Sequence, residues 1–154
     1  MLVLRRKPGV AWQLPLAPRQ LQRCFAAMLQ AVDLEDHAAE LLVVTDGAMA
    51  AYNAAHMGCT GPTNILSFPA ADSAQSEETG ATPHSVPLLG SLILSAHTLQ
   101  REALLYGQPV HEHCLRLLAH GLGHIAGYDH GPEMDAFCDE ALTAALAALE
   151  DKAG

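Results

Sequence analysis

Three histidines within eleven residues constrain this chain more than any other feature. They lie in the segment His120-Gly121-Leu122-Gly123-His124-Ile125-Ala126-Gly127-Tyr128-Asp129-His130. His120 and His124 are four apart, and on a helix that spacing sends both rings off one face, a turn apart. Gly127 then supplies the left-handed conformation that ends a helix and turns the chain back. Three residues later His130 meets the same point from the other side. Three neutral imidazole nitrogens with an open fourth position make the donor set of a catalytic zinc site. Zinc in such a site lowers the pKa of bound water to about 7. The expectation is one Zn2+ per chain, ligated by His120, His124 and His130. His37, His56, His84, His97 and His111 lack ligand spacing. His113 shares the His120 helix face but lies about 10 Å along the axis, too far to reach the same ion.

The rest of the chain must build a scaffold for that helix and turn. Leu2–Leu4 and Val10–Leu14 read as short extended pieces divided by Pro8-Gly9. From Arg19 to Val32, apolar residues recur at three- and four-residue steps, predicting a helix with Leu21, Phe25, Met28 and Val32 inward. Leu41–Val44 is short, apolar and branched, a buried strand. Thr45 or Asp46 caps a helix running to about Ala55, and residues 56–63 form a loop. Asn64–Phe68 is a strand ended by Pro69, and 70–87 is a polar loop with Pro83 and Pro87. A strand over Leu88–Ser95 leads into a helix over Ala96–Tyr106 that stops at Gly107. Pro109 opens the zinc helix, which runs to about Ala126, and Pro132-Glu133 opens a last helix to about Leu149. With no linker and no repeat, the expectation is one α+β domain over residues 1–154. It has a small mixed sheet and about five helices mainly on one side, with the zinc site on a long helix and the turn after it.

Composition narrows the class. Hydrophobic residues make up 50% and charged residues 16% of the chain, enough apolar material for a core and too little charge for a disordered tail. No apolar run reaches the roughly 18 residues that span a bilayer. The N-terminus places Leu2-Val3-Leu4 before Arg5-Arg6-Lys7, the reverse of a secretory signal, so a cytoplasmic protein is expected. Cys24, Cys59, Cys114 and Cys138 form no C-x-x-C pair and read as buried free thiols. The net charge of −9 is uneven: all five bases of the first 23 residues come without an acid, and residues 24–100 hold no Lys or Arg. Only the N-terminal segment, notably Arg5, Arg6 and Lys7, offers a basic patch to phosphates.

The histidine spacing is shared by metzincin proteases, H-E-x-x-H-x-x-G-x-x-H, where the glutamate is the general base. Here Gly121 stands in its place, which leaves a metallopeptidase-like zinc hydrolase as an alternative lacking its base. Asp129 is the nearest carboxylate within the motif. It orients a histidine or holds the metal-bound water, or else caps the turn.

The whole segment resembles the signature of the YbeY family of bacterial endoribonucleases, H-G-x-x-H-x-x-G-Y-D-H. Pro62-Thr63-Asn64-Ile65-Leu66-Ser67-Phe68-Pro69 is similar to that family's P-T-[DN]-V-L-S-F-P. Leu89-Gly90-Ser91-Leu92-Ile93-Leu94-Ser95 is similar to its L-G-D-I-x-I-S. With Asn53, the likeness runs from about Leu41 to the last helix. It implies a zinc-dependent, single-strand-directed endoribonuclease in ribosomal RNA maturation and ribosome quality control. Its partners would be ribosomal RNA and the small ribosomal subunit, with neither DNA nor a membrane implied. The zinc ligands carry over to His120, His124 and His130.

The chain departs from the family pattern at three places. Met57 stands where an arginine is usual, Ser91 where an aspartate is usual, and Gly123 where leucine is common. A helix glycine costs about 1 kcal/mol against alanine, and a metal that fixes the helix end offsets it. The family arginine is thought to counter phosphate charge. Arg116 is the candidate substitute, because residues 116, 120 and 124 share a helix face. A ribosome-assembly factor with a structural zinc and little activity is a further alternative, favoured by Met57 and Ser91.

Overall fold

In a computed structural model of the chain, residues 1–6, 14–57, 64–70 and 86–151 are described, with backbone only for Arg6, His56 and Met57. Strands β1 (Leu2–Arg6), β2 (Ala38–Val44), β3 (Ile65–Pro69) and β4 (Leu88–Ser95) form one sheet. The helices are α1 (Pro18–Ala31), α2 (Asp46–Met57), α3 (Ala96–Tyr106), α4 (Val110–Ile125) and α5 (Pro132–Glu150). The strand order is β1-β2-β4-β3, with β1, β2 and β4 parallel and β3 antiparallel to β4. The expected α+β class with a mixed sheet is what the chain adopts. Residues 10–13 of the expected extended piece Val10–Leu14 and most of the loops at 56–63 and 70–87 lie outside the described residues; Leu14 itself lies in a bend.

The period-two alternation of the strands separates two cores. Leu41, Val43, Leu92 and Leu94 face a large core closed by α1, α3, α4 and α5. Val44, Leu66 and Ile93 face the other side, where Met49 of α2 covers them. Both faces of β2 are thus buried, which is why Leu41–Val44 reads as an unbroken apolar run. The helices do lie mainly on one side, with α2 alone on the other among the described elements.

Two helix boundaries move from the sequence expectation. Helix α1 begins at Pro18, where the ring suits the first helical position, and the Ala17 N–H donates to Gln20 Oε1 at 2.9 Å. It ends at Ala31, so Val32 is its C-cap and is only partly buried; Leu29 and Cys24 fill the inward stripe beside Leu21, Phe25 and Met28. Cys24 and Cys114 are buried free thiols, whereas Cys138 is half-buried; Cys59 lies outside the described residues.

Helix α4 is the centre of the molecule, and two glycines let it pack closely. A Cβ on Gly121 would stand 2.9 Å from Leu92 Cδ2 and 3.1 Å from Ile65 Cδ1, so α4 seats directly on the sheet there. A Cβ on Gly123 would stand 2.5 Å from Met134 Sδ, so the same turn of α4 presses against α5 on another side. Gly123 therefore has a packing reason in Met134, which any Cβ there would displace.

Candidate metal centre

The C-terminus of α4 carries the histidines because its end is built as a Schellman motif. Gly127 takes φ 101°, its N–H donates to the His124 carbonyl at 3.1 Å, and the Tyr128 N–H reaches back to the Gly123 carbonyl at 3.0 Å. This reverses the chain within one turn and satisfies helix carbonyls that would otherwise be orphaned. Tyr128 then stacks on Phe137 of α5, with ring centroids 4.8 Å apart, and pins the turn to the next helix. His130 follows that anchor directly.

The three rings meet. His120 Nε2 and His124 Nε2 are 3.0 Å apart, close to the edge of a tetrahedron with bonds of about 2.0–2.1 Å. The His130 ring centroid lies 5.6 Å from that of His120 and 5.1 Å from that of His124. One ligating nitrogen from each residue falls within a 4.8 Å set. Burial, and then the neighbouring His124 and His130, lower the pKa of His120, with Asp135 partly opposing. That keeps its nitrogen lone pair available. An all-imidazole donor set fits zinc.

The site opens into a cleft of about 570 Å³ between the α4 turn and β3. Asn64, Ile65, Ser67 and Pro69 form one wall, and His120, His124, Tyr128, Asp129 and His130 the other. Asp129 is exposed beside the rings. Arg116 is not among the lining residues. Its guanidinium is 3.6 Å from Glu112, one turn towards the helix start and away from His120. Ser91 lies on the sheet face opposite α4, in step with Ile93, and the Met57 side chain lies outside the described residues. Of the N-terminal bases, Arg5 pairs with Glu40 at 3.3 Å and Arg23 donates to the Ala148 carbonyl.

Comparison with known proteins agrees with this arrangement. The family model described as "Endoribonuclease YbeY" matches residues 12–146. The chain belongs to the YbeY endoribonuclease family. A YbeY relative named endoribonuclease, from Nitratidesulfovibrio vulgaris, is 58% identical over 89% of this chain and 90% of its own length. One from Oleidesulfovibrio alaskensis is 41% identical over 88% and 86%. The fold also resembles a Thermotoga maritima protein solved in solution, with TM-score 0.62 at 17% identity over 96% of this chain and 90% of that one.

Sequence reasoning found the three histidines and missed what stands behind the opposite wall. His113, read as an ordinary side chain, is buried and bonds Glu102 at 3.0 Å, and Glu102 in turn holds Asn64. Glu102 and His113 lie on different helices, and no periodicity within either one signals the pairing.

Proposed function

We propose that this chain is a zinc-dependent, single-strand-directed endoribonuclease acting in ribosomal RNA processing and ribosome maturation in the cytoplasm. One observation carries the reading: three imidazoles converge on one face of an open cleft in a chain whose relatives are named endoribonucleases. The substrate would be ribosomal RNA, met on the small ribosomal subunit. No helix among the described residues is long and apolar enough to cross a membrane.

His120, His124 and His130 would hold the zinc. Bound there, zinc supplies Lewis acidity for a phosphate oxygen and acidifies water. Asp129, exposed at the rim, accepts a proton from the attacking water or ribose hydroxyl and orients that group. Arg116 supplies a cation if it releases Glu112, an exposed i,i+4 pair worth only about 0.2–0.5 kcal/mol. The peptidase alternative loses ground, because position 121 faces Leu92 and Ile65 and leaves no room for a general base.

The test is incubation of the purified protein with structured ribosomal RNA and with casein, each with and without chelator. Cleavage of RNA alone, abolished by chelator, is the expected result. Casein cleavage would support the peptidase. Intact RNA with zinc retained would support an assembly factor with a structural metal, which the departures at Met57 and Ser91 favour.

A further inference from the structure

Glu102 on α3 brings together groups from three elements. Its Oε1 accepts from His113 Nε2 of α4 at 3.0 Å, and both its oxygens accept from Asn64 Nδ2, at 3.1 and 3.3 Å. A carboxylate only accepts hydrogen bonds, so the direction of the chain is fixed. His113 carries its proton on Nε2, Asn64 turns its NH2 towards Glu102, and the Asn64 oxygen is left for another donor. That donor is the Ile65 N–H, 2.6 Å from Asn64 Oδ1. His113 is held in turn by Tyr106, edge-on at 5.8 Å.

The place where this chain ends gives it meaning. Ser95 N–H donates to the Asn64 carbonyl at 3.0 Å, which makes Asn64 and Ser95 a hydrogen-bonded antiparallel pair. The alternation then turns the backbone groups of Ile65 and Ser67 to the outer edge of β3. That edge runs along the cleft opposite the histidines. Helix α4 thus carries the metal ligands at one end and, two turns earlier, a residue that braces the facing wall.

We infer that the Glu102–His113 pair is a positioning device that locks Asn64 and the first residue of β3, fixing the cleft wall against the histidine helix so that a single RNA strand is held in register between them. Neither residue touches the reacting atoms. The brace rests on the reading of the cleft as an RNA site only for its purpose, not for its geometry.

The experiment compares wild type, Glu102→Gln, Asn64→Ala and the double variant. Glu102→Gln keeps the volume but sets an NH2 group against the Asn64 amide. Zinc content is expected to stay at the wild-type value. The Ile65 amide should exchange about tenfold faster in Glu102→Gln. The KM for a single-stranded oligonucleotide should rise about tenfold, with a smaller change in kcat. The double variant should lose no more than Asn64→Ala alone, because both act through one amide. Unchanged Ile65 exchange, or losses in KM that multiply in the double variant, would overturn the brace. A wild type that binds zinc but neither binds nor cuts RNA would sink the endoribonuclease reading instead, and the Ile65 exchange would still decide the brace. If Glu102→Gln does not fold, the Asn64 side-chain amide protons of the wild type decide: exchange at the rate of a free amide refutes the brace.

Discussion

At the scale of the residue, each histidine answers a different question. His120 is half-buried, and burial and its two histidine neighbours lower its pKa from the ordinary imidazole value. His124 stands against both other rings, with centroids 4.5 and 5.1 Å away, so its loss removes one of three converging donors. His124→Ala is expected to drop zinc from about one per chain to near none by elemental analysis; full retention would refute the ligand set. The cation question belongs here too. A donor aimed at developing phosphate charge contributes about 10²- to 10³-fold, and Met57 stands where the resemblance to the family pattern implies an arginine. Met57→Arg is expected to raise single-turnover RNA cleavage about tenfold. Arg116→Ala is the companion variant: a collapse of cleavage would locate the cation on α4, and no change would leave Arg116 with Glu112.

At the scale of the element, helix ends and strand ends set the geometry. A Cβ on Gly127 meets nothing within 4 Å, so its replacement costs backbone conformation alone. Gly127→Ala should destabilise the protein by about 1 kcal/mol and weaken zinc binding, read by chelator competition, because the turn aims His130. Two helix starts are also tied together. Thr45 Oγ1 accepts from the Ala48 N–H at the start of α2, and Ser95 Oγ accepts from the Thr98 N–H at the start of α3. Asp46 joins them, accepting from Ser95, Thr98 and Arg101 at 2.6, 2.9 and 2.7 Å. Burial opposes its charge, but the hydrogen bonds from Ser95, Arg101 and Thr98 and the Arg101 charge outweigh it and hold Asp46 at about 2, below its ordinary 3.8. A carboxylate lowered on folding stabilises above its unfolded pKa and loses that contribution as pH falls through the folded one. The stability gap between wild type and Asp46→Asn in urea unfolding should therefore be full at neutral pH and shrink from about pH 4 to about pH 2. A gap that does not change with pH would remove the carboxylate's charge from the account.

At the scale of the whole molecule, the histidine cluster joins α4 to the start of α5 through the turn that carries His130. A zinc ion held by all three histidines would require these to be assembled and would stabilise the native state by mass action. Free zinc at a hundredfold its Kd should add about 2.7 kcal/mol, seen as a rise in Tm that chelator reverses. His124→Ala should show no such rise. The same assembly accounts for Gly121 and Gly123, which allow α4 to approach β4 and α5 at once. Gly121→Ala should lower stability by about 1–3 kcal/mol through overpacking against Leu92, measured by the urea midpoint.

The histidine cluster was legible because it is local. His120, His124, Gly127 and His130 lie within eleven residues, and helix period and glycine conformation set the path that brings their rings together, with Tyr128 on Phe137 pinning the turn. Gly107 after α3 was readable for the same reason, as was the apolar run of β2. Tertiary structure decided what depends on residues far apart in the chain. Periodicity gives each strand a face but not a neighbour, so the order β1-β2-β4-β3 and the edge position of β3 came from packing. The need for glycine at 121 and 123 arises from Leu92 and Met134, which no local rule pairs with them. The link from His113 through Glu102 to Asn64 spans three elements. Hydrogen bonds between chain neighbours are fixed by backbone geometry, whereas those between distant side chains exist only once the core has brought their elements together.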